Sequence, residues 1–289
     1  MRTTRTFALV GIAGFVAALS AAIYVSDGPA HRWLAFYAWK LTAGKARRGD
    51  HFNTGDVSIY YETYGAGPPV LVLHGGLGSH EGMSYQIRAL SESHFVVAPD
   101  SRGHGRSTDS DAPLSYSVMS DDMSKLLDYL RIDRVDVVGW SDGGIIGLDL
   151  AMRHPERIRR LVAISANYDV DGIPDGPDSD PDVPRAPLRY KLLAPDPAHW
   201  PVIYRKAVTM WHTQPHYTLT DLGRIKASTL IMAGEFDIIK REHTAQLAKA
   251  IPGSREIIIP GATHTVPNDK PDIVNADILR FFDDNKASE

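Results

Sequence analysis

A serine flanked by glycines is the first feature of this sequence that suggests a reaction. The segment Gly139-Trp140-Ser141-Asp142-Gly143 follows the apolar run 135–138 and precedes a helical pattern. In a G-x-S-x-G turn between a strand and a helix, the small residues let the backbone bend sharply and leave the serine hydroxyl exposed. Ser141 is therefore predicted to be a nucleophile at the start of a helix, where developing negative charge is favoured.

A base and an acid are needed to activate such a serine, because its hydroxyl is a poor nucleophile while it holds its proton. His264 and Asp237 each follow a strand-like apolar run, so both are expected at the same sheet edge as Ser141. The chain order Ser, Asp, His is one of the known orders of this triad. Glu235 is the nearest rival for the acid, and Asp169 is a further variant.

A glycine-rich loop, residues 73–78 (LHGGLG), follows another apolar run. Glycines let backbone N–H groups approach a substrate oxyanion closely. The predicted oxyanion hole consists of the N–H groups of Gly76 and Asp142, with Leu77 as the alternative to Gly76. His74 in this loop is interpreted as a structural residue and not as the base.

The side chain of Asp142 starts beside the nucleophile and has two interpretations. If it points into the substrate pocket, its carboxylate would favour a substrate that carries an ammonium group. Alternatively, it caps the following helix or faces solvent.

The elements that must position these residues are strands alternating with helices. This alternation predicts βαβ units and a mainly parallel sheet covered by helices on both faces. The strand-like runs are 57–64, 70–73, 95–98, 135–138, 161–164, 229–232 and 257–259. The helical patterns are 83–92, 116–130, 144–153, 242–250 and 271–282.

Residues 168–224 interrupt the alternation, since they contain no strand-like run. A structureless loop of this length is uncommon in a compact domain, which favours an inserted helical cap. Three cap aromatics, Trp200, Tyr204 and Trp211, are candidates to bind substrate together with Trp140, or they form the core of the cap itself. The acidic run 169–182 lacks the residues of a calcium loop and is interpreted as solvated, so no metal site is predicted.

The composition excludes several other classes of protein. Of the 289 residues, 43% are hydrophobic and 23% are charged, as in ordinary soluble domains. The formal net charge is −4, and no basic patch indicates a nucleic-acid partner. The absence of cysteine excludes thiolate nucleophiles, thiolate metal sites and disulfide bonds. The predicted reaction requires no cofactor.

The N-terminal 24 residues are typical of a signal anchor or a signal peptide. Arg2 and Arg5 precede the apolar run 7–24. We expect membrane contact through residues 7–24, followed by a juxtamembrane linker at 25–51 whose aromatic cluster 33–39 lies at the interface. The protein would then belong to the cell envelope, and the lysine and arginine distribution favours an exported domain. An N-terminal helix packed on the domain is the alternative.

The motifs taken together, over about 52–282, resemble the α/β-hydrolase superfamily. The segments that carry the resemblance are His74-Gly75-Gly76, Asp100-x-Arg102-Gly103-x-Gly105-x-Ser107, Gly139-x-Ser141-x-Gly143, Gly234-Glu235-x-Asp237 and Ala262-x-His264. The resemblance implies a serine hydrolase with a core of residues 52–167 and 225–285 and a cap of residues 168–224. The elbow sequence GWSDGG is also similar to that of biphenyl-hydrolase-like (valacyclovir-hydrolase) enzymes. The loop 100–107 is expected to be structural, with Asp100 paired to Arg102.

The function predicted from these features is the hydrolysis of small-molecule carboxylic esters through an acyl-enzyme. The same triad could instead cleave a C–C bond, an amide or a lactone. Outside catalysis, the same fold could serve as a ligand receptor.

Overall fold

The computed structural model describes residues 30–42, 49–173 and 183–284. Eight strands of these residues form one sheet in the order β1-β2-β4-β3-β5-β6-β7-β8. Strands β3 to β8 are parallel, whereas β2 runs antiparallel to both β1 and β4. The strands are β1 (Asp50–Asn53), β2 (Ser58–Tyr64), β3 (Pro69–Leu73), β4 (Phe95–Pro99), β5 (Val135–Trp140), β6 (Ile158–Ile164), β7 (Ser228–Phe236) and β8 (Arg255–Thr263).

Ten α-helices of the described residues connect or cover these strands. They are α1 (Ala30–Thr42), α2 (Ser84–Leu90), α3 (Tyr116–Tyr129), α4 (Asp142–Arg153), α5 (Leu188–Leu193), α6 (Trp200–Thr213), α7 (Leu219–Leu222), α8 (Arg241–Ala250), α9 (Val266–Asp269) and α10 (Pro271–Asp284). Short 3₁₀ helices lie at His80–Met83, Val170–Gly172 and Pro197–His199.

Two apolar layers, one on each face of the sheet, form the core. The continuous apolar runs of the sequence account for them, because a central parallel strand buries the side chains of both its faces. In β3, Val70 and Val72 belong to one layer, and Leu71 and Leu73 belong to the other. The predicted α/β fold with a mainly parallel sheet is confirmed.

The helices α5, α6 and α7 lie between β6 and β7, where the helical cap was predicted. Their chain segment separates two strands that pair directly, from Arg160 with Ser228 to Ile164 with Met232. The cap is therefore an insertion that leaves the sheet continuous. Most of the predicted acidic run, residues 174–182, lies outside the described residues.

The interval 25–51, predicted to be a linker, contains the helix α1 and the first residues of β1. Phe36 of α1 is fully buried and packs against Tyr64, with 6.0 Å between the ring centroids. The expectation that the aromatic cluster 33–39 lies at a membrane interface is thus corrected for Phe36. Apolar spacing alone does not distinguish a helix that packs on a sheet from one that meets lipid.

The predicted signal anchor, residues 1–24, lies outside the described residues. Within the part of the chain that the structure describes, no helix combines the length and the apolar character needed to span a bilayer.

Candidate active site

Ser141 lies between β5 and α4 in a strained backbone conformation. Its φ is 54° and its ψ is −121°, a combination that residues other than glycine rarely adopt. A Cβ atom at Gly139 would lie 2.1 Å from the Gly143 carbonyl oxygen, and one at Gly143 would lie 2.4 Å from the Leu73 carbonyl oxygen. Both glycines are therefore required for the tight turn, as the sequence pattern predicted.

The structure brings Ser141, His264 and Asp237 together in one chain of hydrogen bonds. The His264 Nε2 atom is 3.0 Å from Ser141 Oγ, and His264 Nδ1 is 2.7 Å from Asp237 Oδ1. With Nδ1–H donating to the carboxylate, Nε2 is left as an acceptor for the serine hydroxyl. This is the arrangement in which a histidine can remove the serine proton.

The carboxylate of Asp237 is held on both oxygens. The Ile239 N–H donates to Oδ1 at 3.1 Å, and the Ser165 hydroxyl donates to Oδ2 at 2.5 Å. Burial alone would raise the pKa of Asp237, but its hydrogen bonds with His264 and Ser165 and the charge of His264 lower it below its usual value. Asp237 is therefore kept ionised beside the histidine. The sequence interpretation missed Ser165, whose position directly after β6 was the available signal.

The two rival acids make other contacts. Glu235 accepts a hydrogen bond from the Gly261 N–H at 2.8 Å. Asp169 lies 2.9 Å from His216 Nδ1 and accepts from the Asp171 N–H. Neither carboxylate contacts His264.

The glycine-rich loop packs directly against the nucleophile. A Cβ atom at Gly75 would lie 3.3 Å from Ser141 Cβ. The Asp142 N–H begins α4 and so has no acceptor within that helix. His74 Nε2 accepts from the Ser101 N–H at 3.0 Å, which leaves Nδ1–H to donate to the Gly75 carbonyl at 2.7 Å. His74 thus shapes the loop, as interpreted from the sequence.

A cavity of about 650 Å³ opens over Ser141 between the core and the cap. Of the predicted substrate-binding aromatics, Trp140 and Trp211 line it. Trp200 and Tyr204 do not belong to the described lining and instead pack together in the cap, with 5.5 Å between their ring centroids. The Trp200 indole also donates to the Pro184 carbonyl at 2.7 Å. These two residues serve as cap core, because their rings pack together and the indole N–H of Trp200 is satisfied inside the cap.

The comparisons with known proteins agree with this fold. Residues 68–196 match the sequence profile of a family described as alpha/beta hydrolase fold. A candidate carbamate hydrolase, RutD, of Azorhizobium caulinodans is 29% identical over 256 residues, which are 78% of this chain and 96% of that protein. The profile match, the relative and the fold together indicate a member of the α/β-hydrolase superfamily.

Other relatives of this hydrolase differ in their stated reactions. The 2-hydroxymuconate semialdehyde hydrolase of Pseudomonas sp. is 41% identical over 106 residues, which are 35% of this chain and 38% of that protein. The solved structure described as "Est816 as an N-Acyl homoserine lactone degrading enzyme" has 26% identity and a TM-score of 0.66, and it matches 81% of this chain and 100% of its own. A carboxylesterase from Bacillus subtilis has 20% identity and a TM-score of 0.63, covering 87% of this chain and 98% of its own, and supports the fold alone.

Asp142 of this hydrolase directs its side chain toward the cavity. Its Oδ1 accepts from the Tyr116 hydroxyl at 3.0 Å, and both of its oxygens lie 3.1 Å from the Trp211 indole nitrogen. Only 5% of the residue is exposed, and this burial raises the pKa of its carboxyl. Asp142 therefore neither caps α4 nor faces solvent. Asp142, the residue next to the nucleophile, is thus linked to the cap through Trp211.

A second buried polar cluster of the hydrolase, the His80 network, lies beyond the glycine-rich loop. Its members are Glu62, His80, Glu81, Asp100 and Arg106 of the core and Tyr37 and Lys40 of α1. Asp100 accepts hydrogen bonds from His80 and Arg106, whereas Arg102 donates to Asp122 and Asp56. The predicted pairing of Asp100 with Arg102 is therefore wrong. Glu81 and Asp100 raise the pKa of His80 to about 10, so His80 is protonated at neutral pH. Together with Lys40 and Arg106 it balances the three carboxylates of the network.

Proposed function

We propose that this hydrolase cleaves carboxylic esters of small molecules through a covalent acyl-enzyme. The observation that carries the proposal is the hydrogen-bonded chain Ser141–His264–Asp237 at the floor of an accessible cavity. A buried serine with no histidine contact would be a structural residue. Here the Ser141 hydroxyl, the His264 imidazole and the Asp237 carboxylate are already hydrogen-bonded to one another without substrate.

In the proposed reaction, Ser141 Oγ attacks the ester carbonyl carbon while His264 Nε2 takes the hydroxyl proton. Asp237 holds the imidazole in the required tautomer and stabilises the imidazolium that forms. The N–H groups of Asp142 and Gly76, or Leu77, would donate to the developing oxyanion. The imidazolium then protonates the departing alcohol. Water, activated by His264, hydrolyses the acyl-enzyme and restores the serine.

The main alternative is a different scissile bond on the same groups. The relatives carry names for carbamate, lactone and semialdehyde hydrolysis, so the names do not select one bond. All of these reactions use a carbonyl carbon next to the bond that breaks, which the site can accommodate. Esters are proposed first because their alcohol leaving groups require the least assistance.

Two measurements test the proposal together. A fluorophosphonate probe should label wild type at Ser141, as located by peptide mass, and should not label Ser141→Ala. A panel of short, long, aromatic and lactone esters with matched amides should then show turnover of esters above amides. Labelling without turnover of any ester would reject the ester proposal, and no labelling of a folded protein would reject the nucleophile.

The acidic side chain of Asp142 extends the proposal to substrates with an ammonium group. Its oxygens make three contacts, one with the Tyr116 hydroxyl and two with the Trp211 indole N–H. A carboxylate has about four acceptor positions, so one remains for a substrate ammonium. We expect Asp142→Asn to lower kcat/KM for α-amino esters by ~5–150-fold relative to isosteric neutral esters. An equal loss on both ester types would reflect the disturbed Trp211 contact and would dismiss the charge selection.

The N-terminal segment remains a separate proposal about location. Residues 7–24 are proposed to hold the hydrolase at a membrane of the cell envelope. Full-length protein should sediment with membranes and require detergent, whereas a chain that begins at residue 30 should be soluble with the same kcat/KM. Recovery of the unprocessed full-length chain in the soluble fraction would reject the anchor.

A further inference from the structure

Backbone strain is concentrated at the candidate site. In the described residues, four residues other than glycine have a positive φ: Leu77, Arg131, Ser141 and Ser165. Arg131 lies in the turn after α3, whereas the other three surround the proposed reaction centre. Such strain persists only where the surrounding structure imposes it, and it is common at functional sites.

Ser165 has the contacts of a residue imposed in this way. Its φ is 51°, and only 2% of it is exposed. Its N–H donates to the Met232 carbonyl at 2.7 Å, which fixes the backbone against β7. Its hydroxyl donates to Asp237 Oδ2 at 2.5 Å, a distance typical of a hydrogen bond to an ionised acceptor.

The residue before Ser165 contacts the nucleophile. The Ile164 carbonyl accepts from the Ser141 N–H at 2.8 Å. The last residue of β6 and the residue that follows it therefore hold both ends of the proposed triad. Ile164 holds the backbone of the nucleophile, and Ser165 holds the carboxylate of the acid.

We propose that Ser165 is a positioning residue that fixes the rotation of the Asp237 carboxylate through its hydroxyl. This inference rests on the proposed function. Without the hydroxyl, Oδ2 would keep only the Gly234 N–H at 3.4 Å. The carboxylate could then rotate about its Cβ–Cγ bond, and Oδ1 would leave the line of the His264 Nδ1–H. A misplaced imidazole reduces the rate without changing what the cavity binds.

Three substitutions separate the hydroxyl from the backbone strain. Ser165→Ala removes the donor and keeps the strain, Ser165→Gly removes both, and Ser165→Cys keeps the size with a weaker donor. We expect Ala and Gly to lower kcat by about 10- to 100-fold with KM within about twofold of wild type. Cys should be intermediate.

The matched control is Ser107→Ala. Ser107 is also buried, and its hydroxyl donates to the Asp100 carbonyl at 2.6 Å, away from the triad. It should lower the melting temperature about as much as Ser165→Ala does and leave kcat unchanged. The downfield proton resonance of His264 Nδ1–H should shift or broaden in Ser165→Ala and Ser165→Gly and stay unchanged in the control.

Several results would overturn the proposal. A kcat within twofold of wild type for Ser165→Ala, or an unchanged Nδ1–H resonance, would show that the hydroxyl does not position Asp237. Activity retained in Gly but lost in Ala would assign the effect to the backbone. If Ser141→Ala also keeps full activity, the proposed function itself fails, and the resonance still reports on Ser165 independently.

Discussion

Two histidine–aspartate pairs of this molecule have nearly the same geometry and opposite surroundings. His264 Nδ1 is 2.7 Å from Asp237 Oδ1, and His80 Nδ1 is 2.8 Å from Asp100 Oδ1. The His264 side chain is 21% exposed, and its other nitrogen meets the Ser141 hydroxyl in the cavity. The His80 side chain is fully buried, and its other nitrogen lies 3.6 Å from a Glu62 oxygen.

The difference shows that a histidine–aspartate pair does not by itself make a reactive site. In His264, Nδ1 is hydrogen-bonded to Asp237, and Nε2 faces the Ser141 hydroxyl, whose proton it can accept. In the His80 network both nitrogens face carboxylates, and no substrate reaches them, so the network contributes to folding and to docking of α1. The two pairs are therefore distinguished by access to the cavity and by the group that faces the second histidine nitrogen, a serine hydroxyl for His264 and a carboxylate for His80.

The sharpest test of the comparison is to remove the nucleophile. Ser141→Ala should lower kcat for a p-nitrophenyl ester by about 10⁴-fold or more, because the members of a triad act as a unit. His264→Ala should fall nearly as far. Thermal unfolding followed by circular dichroism should show little change. A purified Ser141→Ala variant with a tenth of wild-type kcat would place the reaction elsewhere.

The second test removes the part of the His80 network that α1 supplies. A chain starting at residue 46 lacks Phe36 and Lys40, whereas one starting at residue 30 retains both. Loss of Lys40 leaves the buried Glu62 without the partner at 2.6 Å. We expect the shorter chain to lose about 5 kcal/mol of unfolding free energy, from the unpaired charge and the exposed apolar contact. Equal urea midpoints for the two chains would contradict a structural α1.

A single substitution sharpens the same point. Glu62→Gln should lower the unfolding free energy by about 3 kcal/mol, because it removes one charge from a buried balanced set. The matched control is Glu256→Gln, whose partner Arg241 is 55% exposed, and this change should cost less than about 1 kcal/mol. The kcat of Glu62→Gln should stay within about twofold of wild type. A large fall in kcat at unchanged stability would join the two networks functionally.

The two pairs should also respond to opposite ends of the pH scale. Burial alone would lower the pKa of His80, but Glu81 and Asp100 raise it to about 10. Since the folded pKa exceeds the unfolded value of 6.5, this stabilisation is complete below pH 6.5 and is lost as the pH rises toward 10. The pKa of Asp237 is lowered, so its contribution is lost only in acid, as the pH falls below 3.8.

Urea titrations across this range measure the effect. Between pH 6.5 and 10 the unfolding free energy should fall by up to about 1.4 kcal/mol per pH unit. The slope should be much smaller in His80→Gln, which would be less stable at neutral pH. A wild-type slope that persists in His80→Gln would assign the titration to another group.

Much of the core could be predicted because its signals are local. Apolar runs such as 70–73 identify buried parallel strands. The glycines around Ser141 identify a tight turn, because a side chain at either position would clash with neighbouring backbone. His264 and Asp237 could be predicted because the carboxyl ends of parallel strands meet at one edge. Both kinds of signal can be read from short segments of sequence without knowing the contacts between distant residues.

The rest depends on partners distant in the chain. Phe36 is buried because α1 packs against core residues such as Tyr64 and His80, which are distant in the sequence. The sequence spacing of α1 is equally consistent with a membrane surface. Trp200 and Trp211 are alike in sequence, yet one donates to Pro184 within the cap and the other to Asp142 beside the nucleophile. The role proposed for Ser165 rests on a hydrogen bond across 72 residues of chain.

The separation of Ser141 from His264 by 123 residues has a consequence during synthesis. A ribosome adds about 5–20 residues per second, so the base emerges roughly 6–25 seconds after the nucleophile. The cap and β7 are made in the interval, and Asp237 also follows them. A nascent chain that has not yet reached Asp237 therefore contains Ser141 without either of its two partners. Under the proposed mechanism, the hydrolase gains activity only after its last strand has joined the sheet.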